Sequence, residues 1–226
     1  VLTLNPALAF LFDLDGVILD SMPLHTLAWE RYLERNGIDP ANIEARMHGK
    51  RNDELVPDLF GAHLTPAEIF EHGAAKERLF REMVGDALES LLIPGIREFL
   101  REASKQVPIA LGTNAEPANV DFILNGAGVR QYFRAVVDGS MVKHAKPAPD
   151  VYLRGADLLG VAPADCIVFE DSPVGIRAAR SAGMRAVGLL THAAHLENVD
   201  AEVPDFLDPE LARWLSSQTA VANSSR

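Results

Sequence analysis

Five short apolar runs, each closing on polar residues or glycine, restrict this chain to one kind of fold. They are Phe10–Leu14, Val107–Leu111, Ala135–Val137, Cys166–Phe169 and Ala186–Leu190. Helical patterns separate the later runs, near 95–105, 117–126, 149–159 and 173–182. Short buried strands alternating with helices predict a parallel sheet covered by helices and joined by right-handed crossovers, a doubly wound α/β fold. Helix starts support the register: Ser172-Pro173 reads as an N-cap followed by an N1 proline, and Pro149-Asp150 as an acidic first turn.

Residues 21 to about 90 break the alternation. No strand-like run occurs there, only helical patterns near 23–36, 40–46, 52–60 and 66–86. Thr65-Pro66-Ala67-Glu68 carries a cap, an N1 proline and an acid at N3, the signature of a capping box. Ile69, Leu79, Phe80 and Met83 then supply an apolar stripe at helical spacing. Pro94-Gly95 marks the return to the α/β pattern. The expected organisation is a core made of residues 1–20 and 92–226, with a helical domain of residues 21–91 inserted after the first strand. The tail from Ser216 to Arg226 is small and polar and is expected to fray.

Composition narrows the function classes. The formal charge is −11, from 32 acidic and 21 basic residues, and no dense basic patch interrupts it. Nucleic acid and anionic membrane are poor partners for such a surface. No apolar stretch approaches the roughly 20 residues that span a bilayer. The first twelve residues lack the basic start and cleavage site of a signal peptide. The single cysteine, Cys166, lies in a strand-like run and reads as a buried thiol, which suits a reducing cytoplasm.

Polar residues gather where the strands end. Asp13-Leu14-Asp15-Gly16 follows the first run, and two residues apart on a strand share a face. Gly112-Thr113-Asn114 follows the second run, Lys143-His144-Ala145-Lys146-Pro147 precedes a helix, and Glu170-Asp171-Ser172 follows Cys166–Phe169. In open α/β sheets ligands bind at the carboxyl ends of the strands, so neighbouring strands would converge these groups on one spot. Acids for a hard cation, a hydroxyl and one ammonium are the set that phosphoryl transfer requires. Four carboxylates beside a phosphate need a nearby cation, which gives Lys146 its physical case, with Lys143 as its local competitor.

Four motifs in order resemble the haloacid dehalogenase superfamily, in the branch of phosphoglycolate phosphatases and β-phosphoglucomutases. They are Asp13-Leu14-Asp15-Gly16-Val17-Ile18-Leu19-Asp20-Ser21, Thr113-Asn114, Lys146-Pro147-Ala148-Pro149-Asp150, and Glu170-Asp171-Ser172-Pro173-Val174-Gly175-Ile176. The resemblance implies a Rossmann-like core with an α-helical cap domain, and a Mg²⁺-dependent phosphatase acting on a small phosphorylated metabolite. Asp13 would be the nucleophile and form an aspartyl-phosphate, and Asp15 the general acid and then base. Asp13, the main-chain carbonyl of Asp15, and Asp171 would hold Mg²⁺, with Glu170 a ligand or one shell behind. Thr113 would hydrogen-bond the phosphoryl group with Asn114 beside it, and Lys146 would neutralise charge.

In the insertion, Ser21, His25, Gly49, Asn52 and Lys76 match positions where the branch meets its substrate. The loop His48-Gly49-Lys50-Arg51-Asn52 resembles its specificity loop. A β-phosphoglucomutase-like mutase is the nearest alternative and needs cations for a second phosphate. Lys76 matches one of them, but Asn52 stands at the loop arginine's position, and Ala115-Glu116 where a Ser-Lys is expected. Hydrolysis is therefore favoured. A phospho-aspartate receiver module is a non-enzymatic alternative, countered by Asp15 and by the helical insertion. Metal-free dehalogenation is countered by Asp15 alone.

Overall fold

A computed structural model describes residues 3–47 and 50–222. It divides into two compact units, one of Val1–Asp20 with Leu92–Arg226 and one of Ser21–Leu91. The first unit is built on a six-stranded, wholly parallel sheet: β1 (Ala9–Phe12), β2 (Ile109–Gly112), β3 (Ala135–Val137), β4 (Cys166–Glu170), β5 (Arg185–Leu189) and β6 (Ala201–Val203). Their spatial order is β3-β2-β1-β4-β5-β6. The chain winds outward from β1 through β2 and β3, then restarts at β4 on the other side of β1. That reversal makes the β1/β4 crevice the topological switch point, where doubly wound sheets bind ligands.

Strand alternation decides what each face buries. Phe10 and Phe12 point to one face, where Phe12 stacks on Phe169 at 4.5 Å and Phe99 and Phe206 complete an aromatic layer. Full burial of each such ring contributes about 2–3 kcal/mol. Ala9 and Leu11 point to the opposite face with Cys166, Val168, Val151 and Tyr152. Leu11 is paired with Val168 and Phe12 with Phe169. Continuing that register sets Asp13 beside Glu170, both on the face that carries Tyr152.

Local boundaries differ from the sequence reading for definable reasons. β1 ends at Phe12 because the carbonyl of Leu14 accepts from the N–H groups of Ile18 and Leu19, closing a turn in place of a ladder. β2 begins at Ile109 because Pro108 has no N–H to give the sheet, though its carbonyl accepts from Phe10 N. β6 was not anticipated, so Ala186–Leu190 is not the last strand.

The second unit carries α1 (Met22–Arg35), α2 (Ile43–Met47), α3 (Asn52–Phe60), α4 (Pro66–Val84) and α5 (Leu88–Leu91). The predicted capping box forms: Thr65 accepts from Glu68 N, and Glu68 accepts from Thr65 N. Its core gathers Trp29, Leu33, Ile43, Met47, Leu55, Val56 and Leu59. The first unit resumes with α6 (Ile96–Ala103), α7 (Pro117–Gly126), α8 (Asp150–Leu159), α9 (Pro173–Ser181) and α10 (Pro209–Ala222). α10 runs through the start of the tail expected to fray, anchored by buried Leu211 and Leu215 one turn apart. Among the described residues no helix is long and apolar enough to cross a membrane.

Candidate active site

Asp13 and Glu170 stand at the carboxyl ends of β1 and β4, where the ladder continues one step further through Asp13 N donating to Phe169 O at 3.0 Å. Lys146, at 5% exposure, lies between them: its Nζ is 2.7 Å from Glu170 Oε1 and 2.9 Å from Asp13 Oδ1. The approach to Asp13 is an ion pair made off the hydrogen-bonding direction, so among the described residues Oδ1 has a charge partner but no donor aimed at it. Lys143, the local competitor, is exposed. Asn114 Oδ1 accepts from Lys146 N at 3.1 Å, so this carboxamide ties down the lysine's loop.

Glu170 is fully buried and saturated with donors. Oε1 accepts from Lys146 Nζ and from Tyr152 Oη, each at 2.7 Å. Oε2 accepts from Asp171 N, Ser172 N and Ser172 Oγ at 3.0–3.2 Å. Ser172 also caps α9 by accepting from Gly175 N, as its sequence position predicts. Gly175 is required there, because a Cβ would fall 1.6 Å from Glu170 Oε1. Gly16 serves Asp171 in the same way: at φ +72° it lacks the Cβ that would sit 1.9 Å from Asp171 Oδ2. The Asp171 carboxylate is thereby brought against the Asp15–Gly16 backbone.

The charge balance of this group is uneven. Asp13, Glu170 and Asp171 bring one oxygen each to within 4.8 Å of one another, with Lys146 as the adjacent cation. Burial, then repulsion from Glu170 and Asp15 against the pull of Lys146, raises Asp13 to about 7. Burial, then Glu170, Asp13 and Asp15, raises Asp171 to about 9. Glu170 goes the other way, because Lys146 and the hydrogen bonds outweigh its burial. Lys146 is held above the usual lysine range, since its two carboxylate partners outweigh burial. An all-oxygen donor set, two carboxyls reluctant to ionise, and a glycine cleft against the backbone fit a hard divalent cation.

Thr113 follows β2, the other neighbour of β1, and is buried. Its N–H extends the ladder to Val137 O, and its Oγ1 accepts from Ala115 N at 3.2 Å, leaving the hydroxyl proton to be donated. Asp15, half-buried, follows on the loop from β1.

The family profile of the haloacid dehalogenase-like hydrolases matches residues 8–183. The chain belongs to that family. Similar proteins include fructose-1-phosphate phosphatase YqaB of Escherichia coli K12, 38% identical over 181 residues that cover 78% of this chain and 93% of the relative. The β-phosphoglucomutase of Bacillus subtilis 168 is 35% identical, covering 80% and 82%. A crystal structure of β-phosphoglucomutase from Clostridium difficile superposes with a TM-score of 0.81 at 26% identity, covering 94% of this chain and 98% of that one.

Within this haloacid dehalogenase-like hydrolase, the second unit gathers three of its expected substrate residues around a residue not anticipated. Lys76, 2% exposed, lies 2.5 Å from Glu77 Oε1 and 3.1 Å from His25 Nδ1. Asn52 Nδ2 donates to the same Glu77 oxygen at 2.8 Å, and His25 stacks on Phe80 at 3.7 Å. Lys76 is therefore not the open cation expected; Trp29 and Phe80 rings and Glu77 enclose it. Burial pushes Glu77 up, but Lys76 and His25 more than offset it and hold the carboxyl at about 2. Ser21 is fully buried at the start of α1, its carbonyl accepting from Leu24 and His25. His48 and Gly49 lie outside the described residues.

Tyr152 and Glu77 are the cluster members that sequence reasoning missed. A phenol on the buried face of α8 had to find a partner, which was a usable signal. Glu77 gave none, since side chains one residue apart on a helix do not ordinarily face each other.

Proposed function

We propose that this protein is a Mg²⁺-dependent phosphatase of small phosphorylated sugars, working through an aspartyl-phosphate on Asp13. The observation that carries the reading is the seat of Asp13 at the switch point, with Lys146 2.9 Å away and Glu170 and Asp171 beside it. An Asp13 oxygen attacks phosphorus and the bond from phosphorus to the sugar oxygen breaks. Asp15 gives its proton to the departing oxygen. It then takes a proton from the water that attacks the aspartyl-phosphate, releasing inorganic phosphate and restoring the Asp13 carboxylate. Lys146 and the Thr113 hydroxyl stabilise charge on the equatorial oxygens. Asp13, Asp171 and the Asp15 carbonyl would hold Mg²⁺, which when bound would supply charge neutralisation for the carboxylates and the phosphoryl group. Glu170, its oxygens occupied by five protein donors, acts behind these groups to hold Lys146 and the Asp171 loop.

Hydrolysis is favoured over mutase chemistry by the pairing inside the second unit. Lys76, the cation that would answer a second phosphate, is already neutralised by Glu77. The likeness to a fructose-1-phosphate phosphatase supports a sugar phosphate as substrate. The test is phosphate release across hexose and ketose 1-phosphates, phosphoglycolate and nucleoside monophosphates, with and without Mg²⁺. Release from sugar phosphates that needs Mg²⁺ is the expected result. Conversion of β-glucose 1-phosphate to its isomer in the presence of a bisphosphate, without phosphate release, would install the mutase in its place.

A further inference from the structure

The proposed reaction gives no task to Tyr152, although this side chain touches Glu170 and faces Lys146. Its hydroxyl donates to Glu170 Oε1 at 2.7 Å, and Lys146 Nζ lies 4.7 Å from the centre of its ring. The residue is fully buried on α8 and packs against Gly112, next to Thr113. We infer that Tyr152 is a positioning residue, seating the Lys146 ammonium against Asp13 through Glu170 and its own ring. The inference rests on the phosphatase reading above.

A lysine ammonium is a point charge on a flexible four-carbon stem, so its place is set by what surrounds it. Here Glu170 Oε1 and the aromatic face bound it, and Asp13 Oδ1 stands 2.9 Å away. Glu170 Oε2 is held by three donors from Asp171 and Ser172. The terminal carboxylate torsion is broad and turns both oxygens together, so the Oε1 end, which carries Lys146, keeps its angle best with a donor of its own. The Tyr152 phenol is that donor, and Lys146 inherits the fixed position.

Replacing Tyr152 by Phe keeps the ring and its packing while removing the hydroxyl. The expected result is a fall in kcat of about tenfold or more, the weight of one hydrogen bond to a charged group, with KM unchanged. The single-turnover rate of phosphoenzyme formation falls by the same factor, while the melting temperature falls by only a few degrees and the protein stays folded at the assay temperature. Tyr152→Leu, which also removes the aromatic face, lowers kcat further. A Phe variant with wild-type kcat overturns the proposal. So does one whose activity drops only in step with a lost folded fraction, because that marks a purely structural tyrosine. A wild-type protein that turns over no phosphomonoester sinks the phosphatase reading itself, and the proposal with it, before any variant is compared.

Discussion

Each unit of this protein buries a lysine against a glutamate, yet the two pairs are built to opposite ends. In the second unit, Lys76 and Glu77 match one charge with one charge, and Asn52 and His25 complete the polar contacts. In the first, Lys146 and Glu170 are joined by Asp13 and Asp171, so three carboxylates share one ammonium. The result shows in the acids: Glu77 is held at about 2, whereas Asp13 and Asp171 rise to about 7 and 9. A balanced buried pair is finished as it stands. An unbalanced one calls for a cation and keeps a carboxylate available for chemistry.

The largest contrast is expected from the acid left over. Asp13→Asn should lower turnover by about 10⁴-fold or more, since the covalent route goes with the nucleophile. Residual turnover near wild type would move the reaction away from the uneven cluster. Next in size is removal of the divalent cation: a chelator should abolish phosphate release and Mg²⁺ restore it. The same experiment has a pH signature. Asp13 and Asp171 have folded values above their ordinary 3.8, so they favour the cation-free fold at low pH. That contribution is lost as pH rises through about 7 and about 9. Added Mg²⁺ should therefore raise the melting temperature more at pH 8 than at pH 5, because binding must displace protons at the lower pH. Equal shifts at both would break the comparison.

Smaller effects sharpen it. Thr113→Val, which removes a donor and little volume, should cost about 3 kcal/mol of transition-state stabilisation, read as kcat/KM. Glu77→Gln should lower stability by about 3 kcal/mol, measured by denaturant unfolding, because it leaves Lys76 buried and unpaired. Removing both charges as Lys76→Met with Glu77→Leu should recover most of that loss. Glu77 also reverses the pH sign. Its folded value lies below its ordinary 4.5, so its stabilisation is present above 4.5 and is lost as pH falls toward about 2. The smallest change expected is Ser172→Ala, which removes the α9 cap and one donor to Glu170, at about 1 kcal/mol of stability.

What the sequence disclosed follows the strength of local signals. The apolar runs and the caps at Thr65 and Ser172 carry backbone rules within a few residues, so the alternating core and the helical insertion were readable. β6 was not, because Ala201–Val203 is three residues long with exposed Glu202 at its centre and gains its ladder only from β5. The strand-end acids and Lys146 were legible because their motifs stand at successive strand ends. Partner choice was less so. Asn114 met the Lys146 backbone, and Lys76 met its own neighbour, contacts that depend on packing and leave no periodic trace. Glu170's saturation with donors likewise needed α8 to deliver Tyr152 across the sheet face.

The most direct test is to quench the protein during turnover of a sugar phosphate with Mg²⁺ present and to map the phosphoryl group by peptide mass. The account predicts one acid-stable, base-labile phosphoryl group on the peptide that contains Asp13, absent from Asp13→Asn. Steady phosphate release with that peptide unmodified, or with the label on another residue, would contradict it.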